Sequence, residues 1–184
     1  MSPPCSSTRS SRRWRDDGAA ARSSGAAAVI GILVVAHAPL ASALAQAAGH
    51  VYACAPEKAA AQLRTLDVAA DAEVESMCAA ARALIGQIDR GAGTLVLTDA
   101  FGATPGNVAA RLVEPGRVAV IAGVNLPMLL RALCYRDGTL AQTVDKALAG
   151  GTQGVLQVTG TPVQNQASRT VAPGHDLARI QHQQ

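Results

Sequence analysis

The chain has 184 residues and a formal charge of +3; hydrophobic residues make up 49% of it and aromatics only 2%. That length suits one domain with a buried core, and a core so poor in rings must be packed from Ala, Val, Leu and Ile in tight layers of helix and strand. The charge excess lies in the tails, since residues 29–160 hold nine basic and ten acidic side chains, and a near-neutral body without a basic stripe or stacking rings argues against a nucleic-acid platform.

Residues 1–28 carry Arg9, Arg12, Arg13, Arg15 and Arg22 against Asp16 and Asp17. Ser11-Arg12-Arg13-Trp14, the apolar run 26–36 and the small residues Ala43-Leu44-Ala45 together resemble a twin-arginine export signal. Two features weigh against that reading. Asp16 and Asp17 follow the arginines where a neutral or apolar continuation is expected, and cleavage near Ala45 would delete the first strand of an α/β pattern. Residues 1–28 are therefore expected to be a disordered extension or a start assigned too early.

From there strand and helix alternate, which predicts a doubly wound, mainly parallel sheet of four to five strands with helices on both faces. The aliphatic run 30–36 is the first strand. Leu40 to His50 is the first helix, with a proline just ahead of it, and a short second strand is expected at Val51 to Cys54. Helix is expected from Pro56, broken around Asp67 to Ala70 and resumed from Asp71 to Ile88, with acidic residues in its first turn where the helix dipole favours them. Gly91-Ala92-Gly93 turns into a third strand at Thr94 to Thr98. After the loop 100–106, a helix is expected at about Asn107 to Leu112. Then come a fourth strand at Arg117 to Ile121, a helix ending near Tyr135, a helix at Leu140 to Ala149 and a last strand at Gly154 to Val158. The domain thus spans 29–160, and the polar, Gln-rich residues 161–184 read as a disordered tail.

Cys5, Cys54, Cys78 and Cys134 are scattered without a Cys-x-x-Cys pair or a histidine at zinc spacing, so neither a disulfide framework nor a metal site is expected, and the compartment reads as reducing. Chemistry in an open parallel sheet collects beyond the carboxyl ends of the strands, where both His37 and Asp99 fall. If their strands are neighbours, the two side chains share one crevice. A neutral imidazole there can attack phosphorus through one nitrogen, while a carboxylate holds the other and fixes the tautomer. The loop that follows supplies backbone amides at a helix start, with Gly102 allowing close approach and Thr104 adding a hydroxyl. On pattern alone, a histidine at a strand end is more often structural, and Thr-Pro-Gly-Asn can simply be a turn and a cap.

Three segments in order carry a resemblance that changes this balance. Gly31-Ile32-Leu33-Val34-Val35-Ala36-His37-Ala38-Pro39-Leu40 resembles the phosphorylation segment of the mannose-class IIA components of the sugar phosphotransferase system. Asp99-Ala100-Phe101-Gly102-Ala103-Thr104-Pro105-Gly106-Asn107 resembles that family's Asp-Leu-Phe-Gly-Gly-Thr/Ser-Pro-x-Asn loop, and Gly123-Val124-Asn125-Leu126-Pro127-Met128-Leu129-Leu130 matches its Gly-Val-Asn-Leu-Pro-Met-Leu-Leu. The resemblance implies a cytoplasmic, usually dimeric protein that takes a phosphoryl group from HPr on His37 and passes it to a IIB partner. Asp99 would orient His37, and Gly102, Ala103, Thr104 and Asn107 would cradle the phosphate. Neither metal nor cofactor is implied, and a membrane permease would be met only indirectly.

The departures are Ala38 for a usual glycine, Ala100 for a larger apolar residue and Ala103 for the loop's second glycine; an alanine at 103 is harmless only if its φ is negative. Nothing resembling a IIB domain follows residue 160, so the IIB partner is expected in trans. Asn125 and Pro127 read as shaping a helix start, Met128 and the adjacent leucines as core or dimer contacts, and His50, His175 and His182 lack comparable settings. Two other readings stand beside the first. One is a dihydroxyacetone-kinase phosphocarrier subunit, whose loop resembles Asp-Met-Gly-Ser instead; the other is a regulatory phosphoprotein that moves no sugar.

Overall fold

A run of residues buried on both faces needs ladder partners on both sides, and the strand Gly31–His37 (β1) has them. The computed structural model describes residues 29–52 and 62–158. In it β1 is followed by helix α1 (Leu40–Val51), strand β2 (Leu63–Val68), helix α2 (Val74–Ile88), strand β3 (Thr94–Thr98), helix α3 (Thr104–Ala110), strand β4 (Val118–Ala122), and helices α4 (Leu126–Tyr135) and α5 (Leu140–Gln153). The sheet has four parallel strands in the order β2-β1-β3-β4. The predicted doubly wound α/β fold is therefore observed.

Alternation along β1 feeds two cores. Ile32, Val34 and Ala36 join Leu95 and Leu97 of β3 against Ala41 and Ala48 of α1, Met128, Leu129 and Ala132 of α4 and Ala147 of α5. Leu33 and Val35 turn the other way and join Val96 against Cys78, Ala81 and Ile88 of α2 and Val108 and Ala109 of α3. Every inward position of β1 is fully buried. Small side chains on the helices let them lie close to the sheet, which answers the near absence of aromatic residues.

The second strand was expected too early. Val51 ends α1 and Tyr52 closes it, with its amide bonded to the carbonyls of Ala48 and His50, while Ala53 and Cys54 lie outside the described residues. The stretch expected to be helical instead contains β2, which pairs Ile32 with Leu63 through to His37 with Val68. β2 is an edge strand and only half-buried, so it tolerates Arg64, Thr65 and Asp67, and these hide its period of two. The start of the helix expected from Pro56, at residues 56–61, lies outside the described residues.

Other boundaries shift for local reasons. α2 begins at Val74, after the extended residue Glu73, with Glu75 in its first turn. α3 begins at Thr104, not Asn107, because Pro105 is accommodated in the first turn, where no amide is needed. α5 runs past Ala149 to Gln153, since Gly150 and Gly151 pack directly against Arg131 and Met128 of α4. Residues 155–158 belong to a separate unit from residues 1–154. No strand forms there: Val155, Leu156 and Val158 are 75%, 77% and 88% exposed, and a mainly apolar stretch becomes a strand only when a neighbour takes up its backbone groups. The disorder expected of residues 1–28 and 161–184 falls outside the described residues.

Candidate functional site

β1 and β3 are neighbours whose following helices leave on opposite faces, α1 on one and α3 on the other. That arrangement opens a crevice at the strands' carboxyl ends. His37 closes β1 on one side of it, and Asp99 follows β3 directly on the other. The rest of β1 is sealed, but the His37 side chain is 49% exposed.

Asp99 grips His37 twice. Its Oδ2 accepts the His37 backbone N–H at 3.0 Å and lies 2.7 Å from the ring Nδ1, while Oδ1 accepts the Ala100 N–H at 2.8 Å. Burial of the carboxyl opposes its ionisation, yet the His37 amide, the His37 ring and the Ala100 amide together outweigh burial and hold its pKa below the usual carboxylate range. An ionised carboxylate can only accept. The proton between the two groups therefore sits on Nδ1, and in the neutral ring Nε2 carries the free lone pair. Among the described residues nothing bonds Nε2.

The loop after Asp99 follows a tight path. Gly102 takes the left-handed conformation, with φ at +85°, whereas Ala103 has a φ of −85°, so replacing the family's second glycine there leaves the backbone unstrained. Gly106 answers a different demand: a side chain at that position would strike the carbonyl oxygen of Ala100, because the loop folds back over the first turn of α3. Thr104 is half-buried at the start of α3. Asn107 is exposed one turn on, and its amide already donates to the Ala103 carbonyl at 2.8 Å, leaving only its side chain available. At the loop tip stands the chain's one phenylalanine, Phe101, 91% exposed.

The remaining candidates separate into structural and distant residues. Asn125 caps α4, accepting the Met128 N–H at 2.9 Å and donating to the Gly151 carbonyl at 3.0 Å, and Pro127 occupies the first turn. Met128 and Leu129 are core. His50 is exposed at the far end of α1; His175 and His182, with Cys5 and Cys54, lie outside the described residues. Cys78 is buried and Cys134 exposed. Among the described residues no three His, Cys, Asp or Glu side chains converge as a metal site would need, and no helix is long and apolar enough to cross a membrane.

The family model described as the PTS system fructose IIA component matches residues 31–149. The chain belongs to this family of phosphotransferase-system IIA components. The mannose-specific EIIAB component of Escherichia coli K12 is 32% identical over 110 residues, a match covering 58% of this chain and 34% of that protein, so the chain spans about a third of the curated relatives' length. In solved structures the fold is similar to the mannose/sorbose-specific IIA subunit of Enterococcus faecalis, with a TM-score of 0.63 and 20% identity over 73% of this chain and 98% of the other. The IIA protein associated with the fucose utilization operon of Streptococcus pneumoniae gives 0.61 and 21% over 72% and 96%.

Within this IIA fold, one polar residue beside the crevice had no role in the sequence reading. Asp67, expected only to interrupt a helix, stands near the end of β2 and accepts the amides of Ala41 and Ser42 with one carboxylate oxygen. Had the short apolar-polar run 63–68 been recognised as a strand, its position beside β1 would have pointed to the site.

Proposed function

We propose that this IIA component is a phosphocarrier that accepts a phosphoryl group from HPr on Nε2 of His37 and passes it to a IIB partner. The observation that supports this most is the 2.7 Å contact between Asp99 Oδ2 and His37 Nδ1. It commits one ring nitrogen to a carboxylate and leaves the other as the nucleophile on a half-exposed ring. Uptake is an in-line displacement: the Nε2 lone pair attacks phosphorus as the bond to the donor histidine breaks, and positive charge on the phosphorylated ring is countered by Asp99. Catalysis is then mainly positioning and electrostatics. Gly102, Ala103, Thr104 and Asn107 form the cradle on the α3 side, through backbone amides, the Thr104 hydroxyl and the Asn107 carboxamide.

The setting favours protein partners. The crevice is open, and Phe101 offers an exposed apolar surface beside it. The same reading places the protein in the cytoplasm as a homodimer, for which the exposed Val155, Leu156 and Val158 offer apolar surface; light scattering on the purified chain tests the dimer. The decisive variant is His37→Ala. It should lose all labelling by phosphorylated HPr while keeping the parent's circular dichroism and a single cooperative melt. Labelling at the parent's yield would defeat the assignment.

A further inference from the structure

α1 begins three residues after His37, yet the residue at its amino cap, Pro39, brings no side-chain acceptor. A helix start leaves backbone donors in need of partners. Here they are met from the neighbouring strand: the amides of Ala41 and Ser42 donate to Asp67 Oδ1 at 2.9 and 3.2 Å. The next residue of β2 holds the turn itself, as the Ala38 N–H donates to the Val68 carbonyl at 3.0 Å. The Ser42 hydroxyl then closes on the Pro39 carbonyl, also at 3.0 Å. The connection from His37 into α1 is thus held from β2, and the imidazole is held from β3.

We propose that Asp67 is a positioning residue for His37, capping α1 from the adjacent strand so that the turn over residues 38–40 keeps Nδ1 against Asp99 and Nε2 open to a partner. A helix start with unoccupied amides attracts anions. With the Ala41 and Ser42 amides already taken by a carboxylate, a phosphoryl group on His37 is directed away from α1 and toward the α3 loop. The consequence for transfer rate rests on the phosphocarrier reading; the consequence for ring geometry does not.

The test uses the full chain with 15N-labelled histidine and measures two quantities: the His37 tautomer by NMR and the rate of phosphate uptake from phosphorylated HPr. In the parent, the neutral ring should carry its proton on Nδ1. Asp67→Ala should mix the tautomers and slow uptake on the order of tenfold. Asp67→Asn, whose amide oxygen still accepts both amides, should restore both readouts. The inference is overturned if folded Asp67→Ala keeps the parent's tautomer and rate, or if Asp67→Asn is as defective as Asp67→Ala, which would assign the effect to charge and not to the cap. Should the alanine variant fail to fold, Asp67→Ser, with its shorter reach, takes its place under the same criteria. A parent chain that takes up no phosphate while the Asp67 variant still disturbs the ring sinks the phosphocarrier reading and leaves this inference standing.

Discussion

Strand exits on the same edge of the sheet use polar residues to opposite ends. Beyond β4, Asn125 spends its oxygen on the Met128 amide and its nitrogen on the Gly151 carbonyl, so both of its side-chain polar atoms are engaged within the fold. Beyond β1 and β3, Asp99 is equally occupied, but what it holds is a side chain: His37 is fixed through its amide and Nδ1, and among the described residues its other ring nitrogen has no partner. Both turns belong to segments with a strong family resemblance. Resemblance alone does not separate the two turns; what distinguishes them is how many polar atoms each leaves without a partner among the described residues, and the phosphocarrier proposal rests on the turn that leaves a ring nitrogen so.

The comparison breaks most visibly at the β1 exit. His37→Ala should reduce phosphate labelling to background while the chain stays folded, losing only the part of the stability that the ring's contact with Asp99 contributes. Asp99→Ala should come next, slowing uptake about 100-fold as the ring loses its tautomer and orientation; labelling time courses measure it. The β4 exit should behave in the reverse manner. Asn125→Ala should cost about 1 kcal/mol of stability through the lost cap, read by urea denaturation, with uptake per folded molecule close to the parent's. Smaller still, Phe101→Ala should weaken uptake by about threefold through the apparent KM for the donor protein, with the maximal rate little changed.

A pH series sharpens the same contrast. Asp99 is held below the usual carboxylate range against the opposing effect of burial, and Asp89 is lowered too, first by the Gly91 amide and then by the Arg117 guanidinium. A depressed folded-state pKa stabilises the protein above the unfolded value, near 4 for a carboxylate, and that stability drains away as pH falls through the folded-state pKa. Stability should therefore drop in acid, and Asp99→Asn should flatten part of the drop. Asn125→Ala should shift the whole curve without changing its slope, since that side chain does not titrate.

Much of this was legible in the chain itself, for reasons particular residues make plain. β1 and β3 are buried on both faces and read as unbroken aliphatic runs, so their ends, and with them His37 and Asp99, could be located closely. β3 was placed at the residues it occupies, Thr94–Thr98. β2 was missed because an edge strand can carry Arg64, Thr65 and Asp67 without cost, which erases the pattern that reveals strands. The mainly apolar stretch Val155 to Val158 suggests a strand that does not form, since pattern cannot report whether a neighbouring strand is present. Asp67 escaped for a related reason: its partners, Ala41 and Ser42, are more than twenty residues away and become visible only once β2 lies beside β1.

The most direct measurement of the central claim is to incubate the protein with phosphoenolpyruvate, Enzyme I and HPr and to map the phosphate by mass spectrometry and 31P NMR. One acid-labile, base-stable phosphate on His37, bonded to Nε2, is the predicted result. A phosphate on Nδ1, on any other residue, or on none would contradict the proposal, which takes Nε2 as the attacking nitrogen because Nδ1 lies against Asp99.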